Sequence, residues 1–239
     1  MRKGNPVLLK GINATRDEVS DGVMTVRGAV TKSFLLMLIV AVSFVYSFSG
    51  VITNGHSALQ IIGLASFIVA IITVFVPKIA KFTAIIYAAL QGFLLGAVTN
   101  VFNVRYQGIA TQAILMTIVV AMITLLVYRS VPTLAQKVRK TVYIGLISML
   151  VISLLSIVFS FIGISLPFYG NGPIGIIFSL VAIVLAAMSL MTDFDNITQA
   201  ANYGAPKYME WYCAFGLTVT LIWLYTQILS LLSKLSSRD

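Results

Sequence analysis

Seven apolar runs, each about twenty residues long, follow one another along the chain with only short polar breaks between them. They read as Ser33–Ile52, Ser57–Val76, Phe82–Phe102, Ile109–Tyr128, Thr141–Leu166, Ile174–Thr192 and Trp211–Leu232. A helix rising 1.5 Å per residue needs about 20 apolar residues to cross a hydrocarbon layer some 30 Å thick. The breaks carry turn chemistry: Asn54-Gly55, Pro77-Lys78, Asn103 to Gly108, Pro132, Pro167 to Pro173, and Gly204-Ala205-Pro206. None of the runs alternates with period two, so a barrel is excluded and helices must satisfy the backbone groups in lipid. The expected fold is all-α, a polytopic bundle of seven transmembrane helices (residues 33–239) preceded by a polar cytoplasmic segment, 1–32.

Composition agrees. The 239 residues are 59% hydrophobic and only 10% charged, with a mean hydropathy of +1.00, where soluble domains carry roughly 25% charged residues. The net charge of +9 does not point to nucleic acid, because the basic residues form short clusters between apolar runs and no continuous stripe. Their distribution sets the orientation instead. With the amino terminus inside, the cytoplasmic side holds six basic residues before Ser33, then Lys78, Lys81, Arg129, Lys137, Arg139, Lys140 and Lys207. Only Arg105, Lys234 and Arg238 fall outside. A cell-membrane location follows, with lipid as the main partner. Tyr208, Trp211 and Tyr212 suit an interfacial belt at the inner start of the last helix.

Little in the chain suggests catalysis. Cys213 is the sole cysteine, so no intrachain disulfide or thiolate zinc site is possible, and the sole histidine, His56, reads as a solvated loop residue rather than a metal ligand. No nucleophile elbow, phosphate loop or zinc-protease motif occurs, and no cleavable signal peptide is visible. The expectation is a protein that is not an enzyme and has no resident cofactor.

Acids are scarce, and that directs attention to three of them. Of seven, Asp17, Glu18, Asp21 and Asp239 lie in the tails, while Asp193, Asp195 and Glu210 cluster around the hairpin between helices 6 and 7. Ionisable groups near membrane depth are costly and mark functional candidates. Asp193 and Asp195 are two positions apart, about 200° around a helix, and cannot share a face. Asp193 goes with Ser189, Asn196 and Ile197, and Asp195 with Gln199. On helix 7, Thr220, Trp223, Gln227, Ser230 and Lys234 make a polar stripe at helical spacing. That face should meet protein or water, through an interhelical hydrogen bond or a pore lining. In the third run Ala88, Gly92 and Gly96 recur every four residues, a small-residue stripe that lets two helix backbones approach.

Several of these stretches match a known family. Asn5-Pro6-Val7-Leu8, Met24-Thr25-Val26, Gly172-Pro173-Ile174-Gly175-Ile176, Asp193-Phe194-Asp195 and Ala205-Pro206-Lys207-Tyr208-Met209-Glu210-Trp211-Tyr212 resemble the Bax inhibitor-1/YccA family of transmembrane Bax inhibitor motif proteins, in its bacterial branch. The resemblance implies seven helices with the last one central, and a pH-sensitive calcium leak gated by two aspartates on helices 6 and 7. The helix 6 partner maps onto Asp193. The helix 7 partner maps through Leu224-Tyr225-Thr226 onto Gln227, which departs from the pattern. An amide can donate to a carboxylate but cannot share its titration, so the pair's pH switch is not expected here.

Three functions are thereby expected, from different classes. The first is a cation leak, for calcium, with Asp193 and Gln227 as pathway or gate, Asp193 as a calcium ligand, and Asp195 and Glu210 drawing cations to the inner mouth. Calcium or protons would then be transient partners. The second is a non-transporting regulator that binds another membrane protein such as a quality-control protease. The third is a small-solute carrier.

Overall fold

The computed structural model describes residues 22–49, 56–163 and 166–237. Within them lie α1 (Val26–Phe48), α2 (His56–Phe75), α3 (Ala80–Arg105), α4 (Ile109–Ser130), α5 (Thr133–Phe161), α6 (Pro173–Asn202) and α7 (Met209–Ser236). All seven are long and apolar enough to span a membrane. The Asn54-Gly55 turn, the His56 side chain, the acids Asp17, Glu18 and Asp21, and Asp239 lie outside the described residues.

Three helices extend well beyond their apolar runs. α1 starts at Val26, where Thr25 in extended conformation caps the first turn by accepting from the Gly28 amide at 2.9 Å. α5 starts at Thr133, so Arg139 and Lys140 are helical rather than part of a loop. α6 continues past Thr192 to Asn202, so Asp193 and Asp195 lie within the helix and not in the hairpin. The helix stops where sequence chemistry says it should. Gly204 takes φ +67°, its amide bonds to Ala201, and the Ala205 amide reaches back to Ala200, the paired bonds of a glycine-terminated helix.

Helix α7 is the axis of the bundle. It packs against α6, α1, α4 and α3, and 56% of its most apolar stretch is buried, against 6% for α5. Leu224 is completely buried there, within a core that takes Leu36 and Val40 from α1 and Tyr87 and Leu95 from α3. Tyr87 meets Phe215 edge-on, and farther along Thr99 and Tyr225 share a hydrogen bond of 2.9 Å, so α3 and α7 run parallel.

The small-residue stripe of α3 performs the expected task. A Cβ on Gly92 would run into the carbonyl oxygen of Val40, and one on Gly96 into that of Phe44. Both are backbone contacts with α1. Dispersion over such a close approach holds helices together in lipid, where apolar burial gives no advantage over solvation by acyl chains.

Candidate functional site

The three clustered acids have three different environments, all around the end of the bundle where α6 turns into α7. Glu210 opens α7 and is 3% exposed. Its carboxylate accepts from the Thr25 amide at 2.9 Å and the Thr25 hydroxyl at 3.0 Å, and it is ion-paired with Lys32. It rests on Gly28, where a Cβ would collide with the carboxylate. An acid at the start of α1 also meets the positive end of that helix's dipole. Lys32 in turn lies 5.4 Å from the centre of the Trp211 ring. The preceding chain is tied to the same place: Met24 donates its amide to Ala205 at 2.7 Å, and Lys207 donates to Gly22 at 3.1 Å, around a bridge between Val23 and Pro206. Together these contacts clamp the chain before α1 onto the α6–α7 turn.

Asp195 is also neutralised. Arg139 on α5 donates to its Oδ2 at 2.6 Å, and Gln199 one turn along α6 donates to the same oxygen at 2.6 Å. The shared face with Gln199 follows from helical spacing; the Arg139 partner came from another helix. Asp195 and Glu210 were expected as open acids at a mouth. Both are instead buried and ion-paired, Glu210 with Lys32 and Asp195 with Arg139.

Asp193 is the exception. It points away from Asp195, toward α7, where Thr220 faces it. Thr220 gives its hydroxyl proton to the Gly216 carbonyl at 3.2 Å, and Asp193 Oδ2 is enclosed without a hydrogen-bond partner. Buried carboxylate oxygens normally have a donor, and one without it is a place for a proton or a cation. Asn196, assigned by spacing to the Asp193 face, is exposed.

The polar stripe of α7 faces α6 at both its ends. Lys234, 5% exposed, donates to the Gly175 carbonyl at 3.0 Å and to the Ser179 hydroxyl at 2.8 Å, both near the start of α6. It has no carboxylate partner among the described residues. Between Thr220 and Lys234 come Trp223, Gln227 and Ser230, all half-buried. Trp223 and Ser230 accept through their carbonyls from Thr226 and Ser233 in the same helix. Side-chain contacts thus join the α7 stripe to α6 at Thr220 and at Lys234, while Trp223 packs against the hydrophobic core.

A family profile described as Bax inhibitor 1 like matches residues 5–237. The chain belongs to that family. Membership covers nearly the whole sequence and agrees with a seven-helix bundle around a central last helix. No curated protein and no solved structure gives a match.

For this Bax inhibitor-like chain the expected partnership of Asp193 with Gln227 is not formed. Gln227 makes no hydrogen bond to Asp193, and it lies seven residues beyond Thr220, about 10 Å along the helix axis. Glu210 is not the partner either, being taken by Thr25 and Lys32. Sequence reasoning missed three partnerships: Lys32 with Glu210, Arg139 with Asp195, and Lys234 with Ser179. Thr25 ahead of a helix-compatible run was a usable signal for the start of α1 alone; all three pairs join positions far apart in sequence, and one chain carries no signal for them. Among the described residues no cluster of three metal-binding acids, histidines or cysteines occurs.

Proposed function

We propose that this protein is a cation leak of the Bax inhibitor type, passing calcium along the α6–α7 seam of a bacterial cytoplasmic membrane, with the amino terminus in the cytoplasm. The carrying observation is the enclosed Oδ2 of Asp193, a carboxylate oxygen with no donor of its own on an acid hydrogen-bonded by Thr220 of the central helix. Carboxylate and hydroxyl oxygens suit a hard cation, and one acid with few partners suits weak, passing occupancy rather than storage. In this reading Gln227, half-buried two turns farther along α7, would continue the path toward the opposite end. The conformation described here is the closed one in this reading. The Lys32–Glu210 clamp closes the cytoplasmic end, and the Lys234 ammonium closes the other by filling a pocket of oxygens.

Calcium flux into liposomes containing the purified chain tests the proposal. Asp193→Asn is expected to lower flux about tenfold or more, since the carboxylate with the open oxygen is lost, while Asp195→Asn leaves a bound, off-track position and changes flux little. Equal flux in wild type and Asp193→Asn sinks the reading.

One observation favours the second function, a regulator that binds another membrane protein. The chain at Gly22–Thr25 is docked across the α6–α7 turn, so a partner grasping the preceding segment would pull directly on Glu210. Liposomes without flux, together with a membrane protein crosslinked to that segment, would favour this reading over the leak.

A further inference from the structure

The bundle's most exposed helix carries a groove with a charged mouth. α5 and α6 run antiparallel, touching where Leu185 fills the space beside Gly145 and where Arg139 meets Asp195. Alongside runs an apolar cleft of about 670 Å³. Its α5 wall includes Thr141, Gly145, Ser148 and Ile152, and its α6 wall includes Val181. These α5 positions follow steps of three and four, one face of the helix, over about 16 Å. Phe168 stands at the far end, its ring tilted against that of Phe178 with centroids 5.6 Å apart.

The stripe does not stop at Thr141. One turn earlier on the same face is Lys137, and Lys140 is its neighbour three residues along. Both are exposed, and neither has an acid partner among the described residues. Asp195, on the facing helix, is already held by Arg139 and Gln199. The groove therefore joins an apolar trough of acyl-chain length to two unpaired ammonium groups on long stems that can reach the headgroup layer.

We propose that this groove is a binding site for an anionic phospholipid, one acyl chain lying between α5 and α6 and its phosphate held by Lys137 and Lys140. Charge selects this occupant. A zwitterionic lipid brings no net negative charge for the two lysines, and a second copy of the chain related by a two-fold axis along the bundle would set two such lysine pairs at the same end. The site is separate from the Asp193 track, and it stands whether or not the chain conducts.

Native mass spectrometry of the full chain in neutral detergent reads the site. Dioleoyl phosphatidylglycerol should be retained about 30-fold better than dioleoyl phosphatidylcholine, the effect of two lysines near the surface. Lys137→Gln with Lys140→Gln should remove that preference, and Lys81→Gln should keep it. Val181 is 54% exposed, so Val181→Trp fills the groove from its lipid side without disturbing the core. It should lose the phosphatidylglycerol adduct although every lysine remains. Inorganic phosphate should not compete. Equal retention of both lipids, an undiminished adduct in Val181→Trp, displacement by phosphate, or a dimer that Val181→Trp dissociates would each overturn the proposal.

Discussion

Arg139 and Asp195 meet at 2.6 Å across the α5–α6 contact, while Asp193, two residues earlier on α6, turns the other way toward α7. One helix therefore presents an ion-paired acid to its periphery and, to the bundle axis, one whose Oδ2 has no partner. The two carboxylates differ in chemistry because a helix rotates about 200° over two residues, and the partners on the two sides differ.

The Arg139–Asp195 pair is expected to matter for stability rather than transport. Arg139→Met leaves a buried carboxylate with only Gln199, and breaking a buried pair costs 3–5 kcal/mol. With the Arg139 side chain 32% exposed, the expected loss is about 2 kcal/mol. Arg139→Met with Asp195→Leu should recover most of it. Thermal unfolding in detergent measures both, and a double variant no better than Arg139→Met would show that the pair's charge is not the issue.

A second prediction concerns the clamp at the start of α1. Gly28→Ala puts a methyl where the Glu210 carboxylate sits, so it should displace the same three hydrogen bonds that Glu210→Ala deletes. Each variant should destabilise by about 2 kcal/mol, and the double variant by much less than the sum. Additive losses in the same unfolding experiment would mean that Gly28 and Glu210 act independently.

The glycines of the α1–α3 contact separate packing from helix propensity. Gly92→Ala and Gly96→Ala force backbone against backbone and should lower the unfolding temperature clearly. Gly216 on α7 has nothing within reach of a new methyl, so Gly216→Ala should instead be neutral or stabilising by up to about 1 kcal/mol. The same sign for all three substitutions would contradict the contacts.

Apolar run length and turn residues were enough to read the helix count, the class of fold and the small-residue contact, because in lipid these are set locally by backbone hydrogen bonding. Helix ends were less legible. α5 begins at Thr133 and α6 runs to Asn202, each carrying polar residues within the helix that hydropathy alone assigns to loops. The site was legible as a set of residues and not as a set of pairs. Scarcity singled out Asp193, Asp195 and Glu210, and helical spacing separated the first two. Which cation meets which acid depends on Lys32 and Arg139, residues 178 and 56 positions away from their partners, and no local pattern encodes such distances.

The last prediction asks which position on α7 faces Asp193. The family resemblance puts an acid at the place of Gln227, and the structure puts Thr220 opposite Asp193 with Gln227 about 10 Å farther along. An acid introduced at the facing position would give calcium two carboxylates instead of one, and calcium affinity rises with the charge of its ligands. Thr220→Asp should therefore gain calcium-dependent stability, since binding to the folded state adds RT ln(1 + [L]/Kd). At a hundredfold excess over Kd that is about 2.7 kcal/mol, readable as a rise in unfolding temperature between chelator and calcium. Gln227→Glu should show little calcium response, its carboxylate being out of reach of Asp193 by two helical turns. Adding Asp193→Asn should abolish the gain in Thr220→Asp, which ties it to the pair rather than to charge at the membrane surface. A calcium response in Gln227→Glu and none in Thr220→Asp would show that α7 slides along α6 to bring the family's two positions together, and that the arrangement described here is not the one that binds the ion.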